Sequence, residues 1–234
     1  MIRAESLHKE YGRIKALAGV DLAVASGRTL VVFGPNGAGK TTLIRILSLL
    51  SRPTAGTIEI AGLRAGRQDD AIRRRIGVLS HNTFLYENLS PMENLLFYAK
   101  MYGVADAAGK ARGLLERTGL AARADDLVRG FSRGMRQRLA IARCILHEPS
   151  VIFLDEPTAG LDRRGAQTLT ALLSQLRSEG RTILMTTHDI PEGLALADEI
   201  AIMAKGTIVL HKERSEVAPD AFERLYLDSV EGKS

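Results

Sequence analysis

Nine consecutive residues constrain this chain more than any other feature. Gly34-Pro35-Asn36-Gly37-Ala38-Gly39-Lys40-Thr41-Thr42 fits the pattern Gly-x4-Gly-Lys-Ser/Thr. Glycine accepts positive φ and carries no Cβ, so successive backbone N–H groups in such a loop can turn inward onto phosphate oxygens. A following helix adds its N-terminal dipole. Lys40 brings a compact positive charge for the outer phosphates, and the Thr41 hydroxyl suits the magnesium ion that accompanies them. The pattern carries weight only between a strand and a helix. Both flanks comply. Thr29–Phe33 is β-rich and apolar, and Leu43, Ile44, Ile46, Leu47 and Leu50 are spaced for a helix face buried on a sheet.

Strand and helix signals alternate along the rest. Ile2–Leu7, Val20–Val24 and Thr57–Ile60 are β-rich, with glycines at 12, 19, 27, 56 and 62 marking turns. Ser90-Pro91-Met92-Glu93 offers an N-cap, a proline at the first helical position and a capping-box glutamate, opening a helix to about Tyr102. Further helices are expected around Ala111–Arg117 and after Ser132, the latter with Met135, Leu139, Ala142 and Ile145/Leu146 on one stripe. Val151–Leu154 is wholly apolar, the mark of a parallel strand buried on both faces. Arg163–Glu179 reads as helix, Thr182–Thr187 as strand and Pro191–Ala197 as a short helix. Glu199–Ala204 and Thr207–Leu210 form a hairpin around Lys205-Gly206, and Ser215–Ser229 a terminal helix. This order predicts an α/β fold, one domain over residues 1–234 with an all-helical insertion.

Composition narrows the class. Of 234 residues 45% are hydrophobic and 25% charged, which excludes disordered, collagen-like and disulfide-built chains. Cys144 is the single cysteine, expected to be a small buried hydrophobe. The longest apolar runs fall far short of the roughly 18 residues a bilayer span needs. Met1-Ile2-Arg3-Ala4-Glu5 lacks the apolar core of a signal peptide, so the chain is expected neither to span a membrane nor to be exported. The net charge is +5, which invites a nucleic-acid or membrane-surface partner. Its location matters more: residues 64–143 hold 15 Lys and Arg against 8 Asp and Glu, and the remainder is slightly acidic.

Two further motifs accompany the loop. Val151-Ile-Phe-Leu-Asp155-Glu156 ends a buried strand in two carboxylates. Asp155 there suits a magnesium ion, and Glu156 suits the general base that polarises an attacking water. The same pair after a strand can also be an ordinary helix cap. Phe131-Ser132-Arg133-Gly134-Met135 sits about 20 residues earlier. A serine at a helix N-terminus beside glycine is a second anion site, using hydroxyl, exposed N–H groups and dipole together. One γ-phosphate has no need of two such sites in one chain. Two chains, each offering this helix to the nucleotide of the other, do.

In these motifs the sequence resembles the nucleotide-binding subunits of ATP-binding-cassette (ABC) transporters, nearly end to end. The resemblance implies a P-loop NTPase (RecA-like) core with an N-terminal antiparallel β-lobe and a helical subdomain at about 83–147. It implies ATP and Mg²⁺, with residues 34–42 as Walker A and 151–156 as Walker B. Tyr11 would stack on adenine; a tyrosine there can also simply pack on the β-lobe. Ser132 and Gly134 of the signature, with Asp162 of Ala159-Gly160-Leu161-Asp162, would act across a dimer interface. His188, after the strand ending at Thr187, would contact the γ-phosphate. Its partners would be transmembrane permease subunits and a second ATP-binding subunit, not nucleic acid, at the cytoplasmic face of the inner membrane as a peripheral subunit. The basic middle segment then faces nucleotide phosphates and the membrane-side dock.

The chain departs from the family pattern twice. The usual signature Leu-Ser-Gly-Gly-Gln is Phe-Ser-Arg-Gly-Met here, with Arg133 a candidate to hold a closed dimer. Where a Q-loop glutamine follows the strand Ile76–Leu79, this chain has Ser80-His81-Asn82. A neutral imidazole offers one nitrogen to a metal or its water, so His81 is a questionable Mg²⁺ ligand. Ser80-His81-Asn82, the run from Phe131 to Arg138 and Glu93-Asn94-Leu95-Leu96-Phe97-Tyr98 look like the heme exporter ATPase of cytochrome c maturation, which sets heme export as the expectation, with drug, lipid or polysaccharide export as the alternative. A soluble ABC ATPase acting on nucleic acid would need a coiled-coil insertion or a second cassette, and neither is in this sequence.

Overall fold

The computed structural model describes residues 1–80 and 82–231, with Arg164 and Pro219 described by backbone alone. In chain order its elements are β1 Ile2–Tyr11, β2 Ile14–Val24, β3 Thr29–Phe33, α1 Lys40–Leu47, β4 Ala55–Ile60, β5 Leu63–Arg64, α2 Asp69–Arg73 and β6 Ile76–Leu79. Then follow α3 Pro91–Tyr102, α4 Ala107–Arg117, α5 Arg133–Ile145, β7 Val151–Asp155, α6 Arg163–Ser178, β8 Thr182–Thr186 and α7 Ile190–Leu196. A hairpin of β9 Glu199–Ala204 and β10 Thr207–Glu213 precedes α8 Pro219–Glu231.

The strands form two sheets. Strands β2-β1-β4-β5 make an antiparallel sheet, and β10-β9-β3-β8-β7-β6 a second sheet in which only β10 runs antiparallel to its neighbour. Every residue of β3, β7 and β8 is buried, as expected of parallel strands covered on both faces. Their register brings the C-terminal ends together: Val32 pairs with Thr186 and Asp155 with Thr186. In open sheets of this kind the crevice beyond the carboxyl ends of the strands is where ligands bind.

One core cluster lies between the two sheets, joining Leu7, Leu17 and Val20 of the antiparallel sheet to Leu43, Ile44 and Leu47 of α1. A second lies on the other face of the parallel sheet, under α6 and α8. Helices α3, α4 and α5 close a third around Leu95, Leu115, Val128 and Leu139.

The elements differ from the sequence expectation mainly at their ends. Strand β1 continues to Tyr11 and β2 begins at Ile14, because register shifts after Ala4, Leu7 and Lys9 let the ladder continue past Leu7. The short β5 and α2 were not expected. The expected helix from Ser215 begins at residue 219 instead. Before it, residues 214–216 form a 3-10 turn, held where the Arg214 guanidinium donates to the carbonyls of Leu194 at 3.2 Å and Val217 at 2.6 Å.

Candidate functional site

The phosphate-loop motif lies between β3 and α1. Gly37 and Gly39 have φ of +80° and +106°, backbone conformations that a Cβ disfavours. At Gly39 a Cβ would also lie 2.5 Å from the Ala16 carbonyl oxygen, and at Gly34 one would lie 2.3 Å from that of Met203. The loop is braced from outside, where the Gly206 N–H donates to the Ala38 carbonyl at 2.9 Å. The result is a cleft of about 360 Å³ walled by residues 35–42, Ile14, Lys15, Ala16, Glu156, Ala159 and His188. A cradle of this size, floored by glycine backbone and a helix N-terminus, fits a polyphosphate.

Lys40 is buried at the loop's centre. Its ammonium donates to the carbonyls of Gly34 at 2.5 Å and Pro35 at 3.2 Å and lies 3.7 Å from Glu156 Oε1. Thr41 donates its hydroxyl to Asp155 Oδ1 at 3.2 Å. The same oxygen accepts from the Thr186 hydroxyl at 2.8 Å, deep in the sheet. Thr41 and Asp155 therefore present hard oxygen donors side by side at the loop's edge, a donor set that fits Mg²⁺ bound jointly with phosphate.

Glu156 departs from the strand in the left-handed region, at φ +50°. That turn is stabilised by its own N–H, which donates to the Thr186 carbonyl at 3.0 Å and hydroxyl at 3.2 Å. It aims the side chain across the strand end to His188, whose Nδ1 lies 2.6 Å from Glu156 Oε2. His188 is otherwise exposed, with 66% of its side chain accessible. Lysine, carboxylate and imidazole thus converge at one strand end.

The signature residues form a separate cleft of about 540 Å³, lined by Ser132, Arg133, Gly134, Gly160, Leu161 and Asp162 among others. Ser132 is the N-cap of α5, its hydroxyl accepting the Met135 N–H at 3.3 Å. Asp162 caps α6 in the same way through Gly165 at 2.7 Å. The Arg133 side chain lies on Gly160 of its own chain: a Cβ at Gly160 would sit 2.6 Å from the guanidinium carbon. Tyr11 is not among the residues walling the loop cleft. It is half exposed at the end of β1, with the Lys9 ammonium 4.9 Å from its ring centroid. The expected ligand His81 lies outside the described residues.

Two residues at this site, and a third beneath the helical lobe, escaped the sequence reading. Thr186 holds both strand-end carboxylate residues at once. Gln137 ties α5 to the loop after β7, donating from Nε2 to the Pro157 carbonyl at 2.7 Å. Arg143 is buried under the helical lobe, donating to the Val78 carbonyl at 2.6 Å with its guanidinium over Phe84 and Tyr98. A threonine near the end of an expected strand was the one visible signal.

Comparison with known proteins gives the family. The family model described as ABC transporter matches residues 17–159. The chain is 42% identical to the daunorubicin resistance ATP-binding protein DrrA3 of Streptomyces coeruleorubidus over 92% of this chain and 69% of that protein. It is 37% identical to the lantibiotic transport ATP-binding protein SrtF of Streptococcus pyogenes over 91% of each chain. Among solved structures, a dimeric ATP-binding cassette in a post-hydrolysis state with ADP and Pi superposes with a TM-score of 0.84 at 28% identity, over 92% of this chain and 99% of that one. The ATP-binding subunit of an ABC transporter gives 0.88 at 27% identity, over 98% and 99%.

The chain belongs to the ABC transporter family, as an ATP-binding cassette. Its α/β core with an antiparallel lobe is the family's P-loop fold, it hydrolyses ATP, and it works with ATP and Mg²⁺. These relatives are named for drug resistance and lantibiotic transport, not heme export, so the heme-export expectation drawn from residues 80–82, 93–98 and 131–138 is not supported. No helix among the described residues is long and apolar enough to cross a membrane.

Proposed function

We propose that this chain is the ATP-hydrolysing cassette of an exporter of drugs or antibiotic-like compounds, peripheral to the cytoplasmic face of the cell membrane and joined there to permease subunits. The catalytic part rests above all on one observation: Lys40, Thr41, Asp155, Glu156 and His188 converge at the ends of three adjacent parallel strands or just beyond them. The loop amides of residues 34–42 and Lys40 bind the phosphates. Thr41 and Asp155 would hold Mg²⁺, which would offset negative charge on the phosphates. Glu156 takes a proton from water as the water oxygen attacks the γ-phosphorus in line. The bond to the bridging oxygen breaks and ADP leaves.

His188, hydrogen-bonded to Glu156, orients that carboxylate and meets the γ-phosphate. Ser132, Gly134 and Asp162 serve the other nucleotide of a two-cassette dimer, a reading supported by the phosphate cradle and the signature cleft being separate clefts of one chain. The cassette bound to ADP and Pi, with which this chain shares its fold, is itself dimeric. ATP closes the pair and hydrolysis opens it, moving the permease subunits.

The kind of compound exported follows the relatives' names, daunorubicin, linearmycin and lantibiotics among them. In the native host, removing the gene should raise sensitivity to anthracyclines or peptide antibiotics. Wild-type protein should restore resistance and Glu156→Gln should not. Unchanged sensitivity, with loss of heme from c-type cytochromes, would overturn the substrate reading while leaving the ATPase intact.

A further inference from the structure

Glu192 lies in the first turn of α7, just beyond His188. At this position a glutamate commonly folds back to accept the N–H of the helix cap. Here it does not. The cap is Asp189, and its N–H is already taken by the Thr187 hydroxyl at 3.0 Å. The Glu192 carboxylate reaches outward instead. Oε2 accepts the Thr158 hydroxyl at 2.5 Å and Oε1 accepts the Thr170 hydroxyl at 2.8 Å, so each oxygen holds a different element. Thr158 is in the loop that carries Glu156 at one end and Asp162 at the other, and Thr170 is on α6.

The helix bearing Glu192 has little room to shift. Gly193 packs so close to β3 that a Cβ there would lie 2.5 Å from the Phe33 ring, and the Asp189 side chain fastens the turn by accepting the Glu192 N–H at 2.9 Å. The loop it grips is shaped by few bonds of its own: Ala159 N–H to the Glu156 carbonyl at 3.2 Å and Leu161 N–H to the Thr158 carbonyl at 3.0 Å. Gln137 holds it at the neighbouring residue, Pro157. Glu192 is thus a direct side-chain link between the segment that carries His188 and the loop that carries Glu156.

We propose that Glu192 is a positioning residue for ATP hydrolysis: its carboxylate clasps Thr158 and Thr170 and so fixes the loop that holds Glu156 against His188. This rests on the reading of Glu156 and His188 as the groups acting on the attacking water and the γ-phosphate. Glu192 itself does not line the phosphate cleft, so its loss should move the rate and spare ATP affinity.

Steady-state ATPase of the full chain tests this. Glu192→Ala should lower kcat by about tenfold or more, because small displacements of catalytic groups are costly, with KM for ATP within about threefold of wild type. Thr158→Val should do the same, and the two together should lose no more than either alone. Glu192→Gln should recover most of the rate, since an amide can accept from Thr170 and donate to the Thr158 hydroxyl. A wild-type kcat in Glu192→Ala or in Thr158→Val overturns the proposal. So does a loss that appears only in KM, or one that Glu192→Gln does not recover despite an unchanged thermal midpoint. If Glu192→Ala does not fold, Thr158→Val alone decides by the same criteria. Glu156→Gln and His188→Ala run alongside separate the two layers. Turnover in both removes the reading of the water-activating pair, whereas their inactivity beside an unimpaired Glu192→Ala removes only the clasp.

Discussion

The two clefts of this cassette are held in opposite ways. Around the phosphate loop the polar side chains are fastened to the sheet. Asp155 is fixed by Thr41 and Thr186, Glu156 by the Thr186 backbone and His188, and Lys40 by the loop carbonyls. Around the signature, Ser132 and Asp162 bond within the first turn of their own helices, and both are exposed. The first cleft is preorganised by parallel strands that end together. The second is preorganised by two helix caps and, in the function proposed above, awaits the nucleotide of a partner cassette. Substitutions in the first should therefore act within one chain, and those in the second only when two chains associate.

The sharpest way to break that contrast is Glu156→Gln. Phosphate release should fall by about a hundredfold or more, while fluorescent ATP analogues still bind and a closed dimer accumulates. Near-normal turnover would remove Glu156 as the base and leave the geometry of the strand ends without its proposed use.

Next comes the loop backbone. Gly39→Ala places a side chain at φ +106°, 2.5 Å from the Ala16 carbonyl oxygen, whereas Gly37→Ala, at φ +80°, meets nothing within 4 Å. The first should cost about 1–3 kcal/mol from backbone strain, more with the clash, and weaken ATP binding strongly. The second should cost about 1 kcal/mol. Thermal unfolding and nucleotide titration separate the two, and equal effects would show that conformation alone decides.

Ser132→Ala probes the other cleft. Removing the cap costs about 1 kcal/mol of local stability. ATP binding by the dilute chain should not change, while turnover at concentrations that favour dimers should drop. A loss of affinity in the dilute chain would place Ser132 in the same half-site as Lys40 and dissolve the contrast. Arg133→Gly belongs here with a smaller effect. Its guanidinium already lies on Gly160 of its own chain, so we expect a modestly weaker dimer and little change in ATP affinity.

The same contrast governs what could be read from the sequence. The phosphate loop, the strand ending in Asp155-Glu156 and the capped starts of α3 and α5 were all legible. Each is a local pattern whose residues act on their own backbone. What was hidden depends on register. Thr186 matters because β8 pairs with β7 so that it meets Asp155, and no spacing in the chain announces that pairing. Glu192 carries no signal in the sequence beyond its place in the expected short helix Pro191–Ala197. Arg143 was read only as one of many cations in a basic segment, yet it is buried and braces Val78 at the end of β6. The substrate was the least legible: the likeness carried by residues 80–82, 93–98 and 131–138 pointed to heme, whereas the relatives are named for drugs and lantibiotics.

The smallest expected effect concerns Cys144, on the half of α5 that serves neither cleft. Burial pushes its thiol up to about 12, opposed only by the charge of Arg143. Its sulfur packs against Gly77 of β6, where a Cβ would lie 2.7 Å away. The thiolate is the reactive species, so iodoacetamide should leave the native chain unlabelled at pH 8 and label it readily in urea. Because the folded value lies above the unfolded one of about 8.5, the proton-bound thiol favours the folded chain. That contribution is full below about pH 8.5 and is lost as pH rises towards 12. ATP should not alter the labelling rate if closure moves α5 and β6 as one body, joined by Arg143 as well as by this contact. Labelling that accelerates with ATP would show the helical lobe lifting off the sheet, and the signature cleft would then gain its mobility inside the chain instead of from its partner.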